Sequence, residues 1–175
     1  MTTVVRLGIA VLLIASSGGS AEPALKGSAY ASAATLPPQQ AQFGLWSAGD
    51  LSKRDAALST RVGVDHSARE TLADYGHHRF RLLYRDADGA PEQHDAIVDV
   101  VVVKSGEGTL QLGGEMLGRR AGSGAGEFVG TRLEGGERHR LGAGDVVHIP
   151  AGIPHSFLVA NGGHITYLLV KFPAE

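Results

Sequence analysis

An all-β sandwich or barrel with one or two short N-terminal helices is the fold class this sequence predicts, and three observations predict it. Between residues 78 and 172, short apolar runs alternate with glycine and proline turn signals, the spacing of many short strands. One run, residues 96–103 (AIVDVVVV), is almost entirely β-branched, which suits a pleated surface. The chain of 175 residues, 43% of them hydrophobic, has room for one domain with one core.

Composition excludes several classes of function. Net charge is −2, and acidic and basic residues are interspersed. No basic block is longer than Arg119-Arg120, so no surface for tracking nucleic-acid phosphates is expected. Cysteine is absent, which removes disulfides, thiolate metal sites and a thiol nucleophile.

The N-terminus reads as an address. Arg6 precedes the apolar run 7–15 (LGIAVLLIA), and residues 16–21 (SSGGSA) put small Gly19 and Ala21 at the positions a signal peptidase reads. Residues 1–21 are therefore expected to be a signal peptide, cleaved after Ala21. The run is too short to span a bilayer, which needs about 20 apolar residues, so no stable membrane span is expected after processing. A periplasmic or secreted location follows from that reading. Residues 22–42, rich in Ala, Ser, Pro and Gln, read as a linker.

Residues 43–76 are expected to form a helical extension. Ser47 or Asp50 caps a first helix built on Leu51, Ala56, Ala57 and Leu58. A second is expected over residues 67–75, with Ser67 as cap, Glu70 three residues on, and Gly76 as the stop. The barrel is expected over residues 77–175. Its first strand, residues 78–85 (HRFRLLYR), alternates, with Phe80, Leu82 and Tyr84 on one face. Residues 86–91 (DADGAP) turn the chain into the β-branched run, and residues 105–108 (SGEG) turn it again. The stretch 113–136 carries nine glycines, and only residues 127–133 within it look strand-like. Residues 138–141, 146–149, 155–160 and 165–172 complete the strands.

One segment is specific. Residues 144–155 (GDVVHIPAGIPH) set Gly144-Asp145 at a hairpin turn, a strand over 146–149, and then Pro150 and Gly152 at a sharp bend. Pro154 fixes the backbone just before His155, so the turn aims one imidazole from a rigid corner. This spacing resembles the second motif of the cupin superfamily. The family's following Asn is displaced, since Asn161 lies further on than the pattern asks. A degenerate first motif is found upstream: His94 stands at the second His position, Asp99 at the Glu position, Gly106 at the Gly, and Glu92 where the first His belongs.

The resemblance covers roughly residues 78–172. It implies a double-stranded β-helix, or jelly-roll barrel, that commonly holds a divalent metal and does oxygenase, isomerase or similar chemistry, or simply binds a small molecule. It implies His94, Asp99 and His155 as metal ligands, with Glu92 as a fourth if it turns inward, a set suited to Fe, Mn, Zn or Ni. Such proteins also often pair through exposed strands, so a homodimer is an expected assembly.

The residues themselves leave alternatives open. Asp99 interrupts an apolar strand, where an unpaired carboxylate is costly, so it needs a metal, an Arg or Lys, or several donors, unless its face meets solvent. Glu92 reads equally as a solvated turn residue, and His94 and His155 as hydrogen-bonded turn histidines. His148 alternates with Val147 and Ile149 and is a candidate to enter the cavity and touch a ligand. Arg119 and Arg120 are either solvated or folded over an anion. The run 122–126 (GSGAG) fails the context of a nucleotide loop, because no helix follows it. A metal enzyme and a metal-free binding module both remain in play.

Overall fold

The computed structural model describes residues 43–175; the expected signal peptide and linker, residues 1–42, lie outside the described residues. In chain order the elements are α1 (Ala48–Ser59), β1 (Ser67–Asp74), β2 (Arg79–Arg85), β3 (Glu92–His94), β4 (Ile97–Leu112) and β5 (Glu115–Leu117). They continue with β6 (Arg120–Ala121), β7 (Glu127–Val129), β8 (Arg132–Glu134), β9 (Glu137–Gly142), β10 (Val146–Ile149), β11 (His155–Leu158) and β12 (Ile165–Pro173).

The β-branched run becomes the long strand β4, which joins two antiparallel sheets. Its first half pairs with β12 and β10, and its second half with β9 and β11. Strand β2 and then β1 extend the first sheet, while β3, β7 and β6 extend the second. Gly106 sits where β4 passes from one sheet to the other, with φ +70. A side chain there would lie 2.1 Å from the His164 carbonyl oxygen, so this corner requires glycine. Alternation along β4 turns Asp99, Val101 and Val103 inward. The two valines meet Leu83, Ile149, Phe157 and Tyr167 in one core, with Phe157 and Tyr167 stacked at 4.5 Å.

Ser47 caps α1 by accepting the Asp50 N–H. The helix lies on the outer face of β2, where Leu58, Ala68 and Leu82 form a second core cluster. Phe80, Leu82 and Tyr84 do share one face, and it is this one: Leu82 and Tyr84 join the cluster, while Phe80 packs against Trp46 at 5.2 Å. Asp55 ties the helix to the barrel by accepting from Ser105 Oγ (2.5 Å) and the buried Thr166 Oγ1 (2.6 Å).

Two expectations about this region are corrected. Residues 67–74 form the edge strand β1, not a second helix, so the helical extension ends with α1. Their good helix formers are overruled because the open edge of β2 needs a partner, and β1 pairs along it from Ser67↔Arg85 to Asp74↔Arg79. Ser67 does not cap; its hydroxyl donates to Asp65 at 2.7 Å. The glycine-rich stretch is also more ordered than its composition suggests. Gly130 divides the expected strand 127–133 into β7 and β8, and β8 pairs with β5. Arg119 lies over the Phe128 ring at 3.3 Å instead of over a cavity.

Candidate metal and ligand site

Strand register assembles the site. His155 of β11 pairs directly with Glu92 of β3, and Lys171 of β12 pairs directly with Asp99 of β4. The bend before His155 is bonded to the same neighbourhood, because the Gly152 N–H donates to the His94 carbonyl at 2.7 Å. His94, Asp99 and His155 are all buried, at 6%, 3% and 3% exposure. The two imidazole rings stand 5.5 Å apart.

One donor atom from each of Glu92, His94 and His155 lies within 4.8 Å of the others. His155 Nδ1 sits 3.0 Å from the Ile153 carbonyl, which can only accept, so Nδ1 carries the proton and Nε2 presents a lone pair. Lys171 Nζ, which can only donate, lies 2.7 Å from His94 Nε2, so that nitrogen also presents a lone pair. The proton of His94 is then on Nδ1, which is buried without a hydrogen-bond partner among the described residues. The nearest charge to it is Glu127 Oε1, at 3.8 Å. Two acceptor nitrogens and a carboxylate gathered within 4.8 Å are the donor set of a divalent cation, and these residues fit one.

Asp99 has a different partner from the one the motif implies. Lys171 Nζ reaches both its oxygens, at 2.9 and 3.0 Å. The Nε2 atoms of His94 and His155 each lie 3.6 Å from it, too far for a hydrogen bond. Burial pushes the Asp99 carboxyl up, but the Lys171 ammonium, bonded to both of its oxygens, holds it below the usual carboxylate range. The sequence reading asked for a metal, an Arg or Lys, or several donors if Asp99 is buried, and the structure supplies Lys171.

His148 is corrected. It stands exposed on β10, because Ile149 (1% exposed) and Val147 take the inward-facing positions and the strand's alternation turns His148 outward. Sequence reasoning missed Lys171 and Arg85. The signal for both was parity: Lys171 follows Tyr167 and Leu169 on the inward face of β12, and Arg85 follows Leu83 on that of β2.

Beside the cluster is an interior cavity of about 20 Å³, lined by Arg85, Glu92, Asp99, His155 and Tyr167 among others. That space suits one water or one ion. A vestibule of about 350 Å³ shares Arg85, Ala90 and Glu92 with it and adds His66, Arg69 and Asp88. Among the described residues no helix is long and apolar enough to cross a membrane.

Comparison with known proteins agrees with this architecture. A family model described as the AraC-like ligand binding domain matches residues 129–175, which include His155 and Lys171. An uncharacterized conserved protein with a double-stranded β-helix domain from Klebsiella pneumoniae superposes with a TM-score of 0.52 at 15% identity, covering 75% of this chain and 91% of that one. The polyketide cyclase RemF from Streptomyces resistomycificus gives 0.43 at 19% identity, covering 63% of this chain and 66% of its own. A predicted oxalate decarboxylase from Thermotoga maritima gives 0.46 at 15% identity, covering 62% and 81%. No protein of curated function matches the sequence.

Proposed function

The chain is a cupin by fold, and from that premise we propose that it is an exported protein holding a divalent metal ion on Glu92, His94 and His155 beside a small organic ligand. The observation that carries the reading is the convergence of those three donors within 4.8 Å, with both imidazole Nε2 atoms presenting lone pairs. Two imidazoles and a carboxylate suit Fe, Mn, Zn or Ni. A bound ion would supply Lewis-acid or oxygen-activating chemistry. The chain's own residues do the rest. The Ile153 carbonyl fixes the His155 tautomer and ring, and Asp99 pairs with Lys171, whose ammonium also contacts His94 Nε2. The ligand would approach from the vestibule, since the interior space admits only a water or an ion. Export is supported by Arg6, the apolar run 7–15 and the small residues before Glu22, where the mature chain is expected to begin.

Lys171 favours a second reading. Its ammonium stands 2.7 Å from His94 Nε2, where a metal would bind that nitrogen, so a metal-free binder would use the ammonium as its cation. Metal analysis of purified protein, combined with thermal melts, separates the two. On the first reading, about one ion per chain is recovered and chelator lowers Tm. Re-adding metal at about 100 times its Kd restores roughly 2.7 kcal/mol. His94→Ala and His155→Ala abolish that response, whereas the outward-facing His148→Ala keeps it. A metal-free preparation with a flat chelator response leaves the second reading standing.

A further inference from the structure

The vestibule contains several charged groups, and nearly all of them have partners. Arg69 Nη2 donates to Asp65 at 3.0 Å, and His66 Nδ1 pairs with Asp86 at 3.0 Å. Asp88 accepts the Val159 N–H at 2.8 Å. Glu92, 39% exposed in its side chain, lies 3.6 Å from His94 Nε2, and Arg85 is the buried exception. It is 9% exposed, and its one hydrogen bond among the described residues runs from Nε to the Tyr167 hydroxyl at 3.4 Å. No described carboxylate reaches ion-pair distance of its guanidinium, although Glu92 lines the same two cavities. A guanidinium offers five N–H donors in a planar fork, and burying one with its charge unpaired is costly. It is held in place nonetheless. A methyl group at Gly89 would come within 2.8 Å of the Arg85 guanidinium carbon, so the bare Gly89 backbone is the bed the fork lies against. That bed is fixed, with the Gly89 N–H donating to the Phe157 carbonyl (2.8 Å) and its carbonyl accepting from Ser156 Oγ (2.6 Å).

We propose that Arg85 anchors a small monocarboxylate that enters through the vestibule. The planar fork matches a carboxylate with two parallel hydrogen bonds. A single negative charge is the right load. Arg69 is already engaged, and Asp88 and Glu92 line the same wall and would repel a dianion such as phosphate. Because Arg85 and Glu92 line both spaces, a carboxylate on the fork leaves the rest of the molecule in the vestibule, at the mouth of the interior cavity. The inference rests on the proposal that this cavity takes a small ligand, and it does not need a metal.

The test is calorimetric titration of the full chain, metal-loaded and chelator-treated, with acetate, glycolate and benzoate. Acetamide and inorganic phosphate serve as controls. At least one monocarboxylate is expected to bind saturably, at least tenfold tighter than either control. Arg85→Gln is expected to weaken it at least tenfold while leaving metal content unchanged. Gly89→Ala keeps every charge but displaces the fork, so it is expected to weaken binding similarly; it carries the test if Arg85→Gln does not fold. Failure of all three carboxylates to bind the wild type, or equal binding by the folded variants, overturns the inference. Carboxylate binding that persists in chelator-treated protein holding no metal upholds it even where the metal reading fails.

Discussion

Replacing Lys171 with Met tests the interior electrostatics most directly. The ammonium is 13% exposed in its side chain and lies 2.9 and 3.0 Å from the two oxygens of Asp99, itself 3% exposed. Met keeps the length of the side chain and removes the charge, leaving a carboxylate buried beside two histidine lone pairs. Removing one member of a buried pair costs about 3–5 kcal/mol, most of it the penalty of the charge left behind. For a domain of this size that is a fall in Tm of roughly 10–15 °C. Pairing Lys171→Met with Asp99→Asn removes both charges, so the double variant should recover much of the loss, and the cycle isolates the coupling. The assay is urea unfolding in excess chelator, so that no ion substitutes for the ammonium. Added divalent metal should then rescue Lys171→Met more than the wild type, because the competing cation at His94 is gone. A Lys171→Met variant within about 1 kcal/mol of wild type in chelator would refute the reasoning, since Asp99 would then have another partner.

The acid limb of stability should carry the signature of Asp99. Its folded pKa lies below the ordinary 3.8, so it contributes stability that is complete above that value and is lost as pH falls below it. Urea unfolding in steps from pH 6 downward should show a shallower loss for Asp99→Asn than for wild type below about pH 4; identical slopes would contradict the assignment. Gly106→Ala combines a left-handed φ with a methyl 2.1 Å from a carbonyl oxygen, and should cost at least about 2 kcal/mol in the same assay.

Much of this was legible in the sequence because it is governed by local chemistry. Strand identity follows from β-branching and alternation. The bend before His155 follows from the fixed φ of Pro150 and Pro154 and the freedom of Gly152, whose φ is +78. The need for a partner at Asp99, whether a cation or several donors, follows from the cost of burying a charge in an apolar strand. Each of these is a property of a residue and its chain neighbours.

The rest was decided by which strands pair and in what register. Residues 67–74 have helical propensity and become a strand because β2 presents an unpaired edge. His148 turns outward because Val147 and Ile149 claim the inward positions of β10, a choice between two faces that alternation alone leaves undecided. The cation that Asp99 requires comes from Lys171, seventy-two positions away along the chain, since β12 lies beside β4 in the register that sets the two residues opposite each other. Glu92 joins the two histidines for the same reason, opposite His155 across the β3–β11 ladder. Composition and spacing single out a carboxylate in an apolar strand and two histidines as candidates, and pass over the lysine. Only the paired strands bring them within ångströms of one another, because a pairing register is a property of two strands together and is written in neither one.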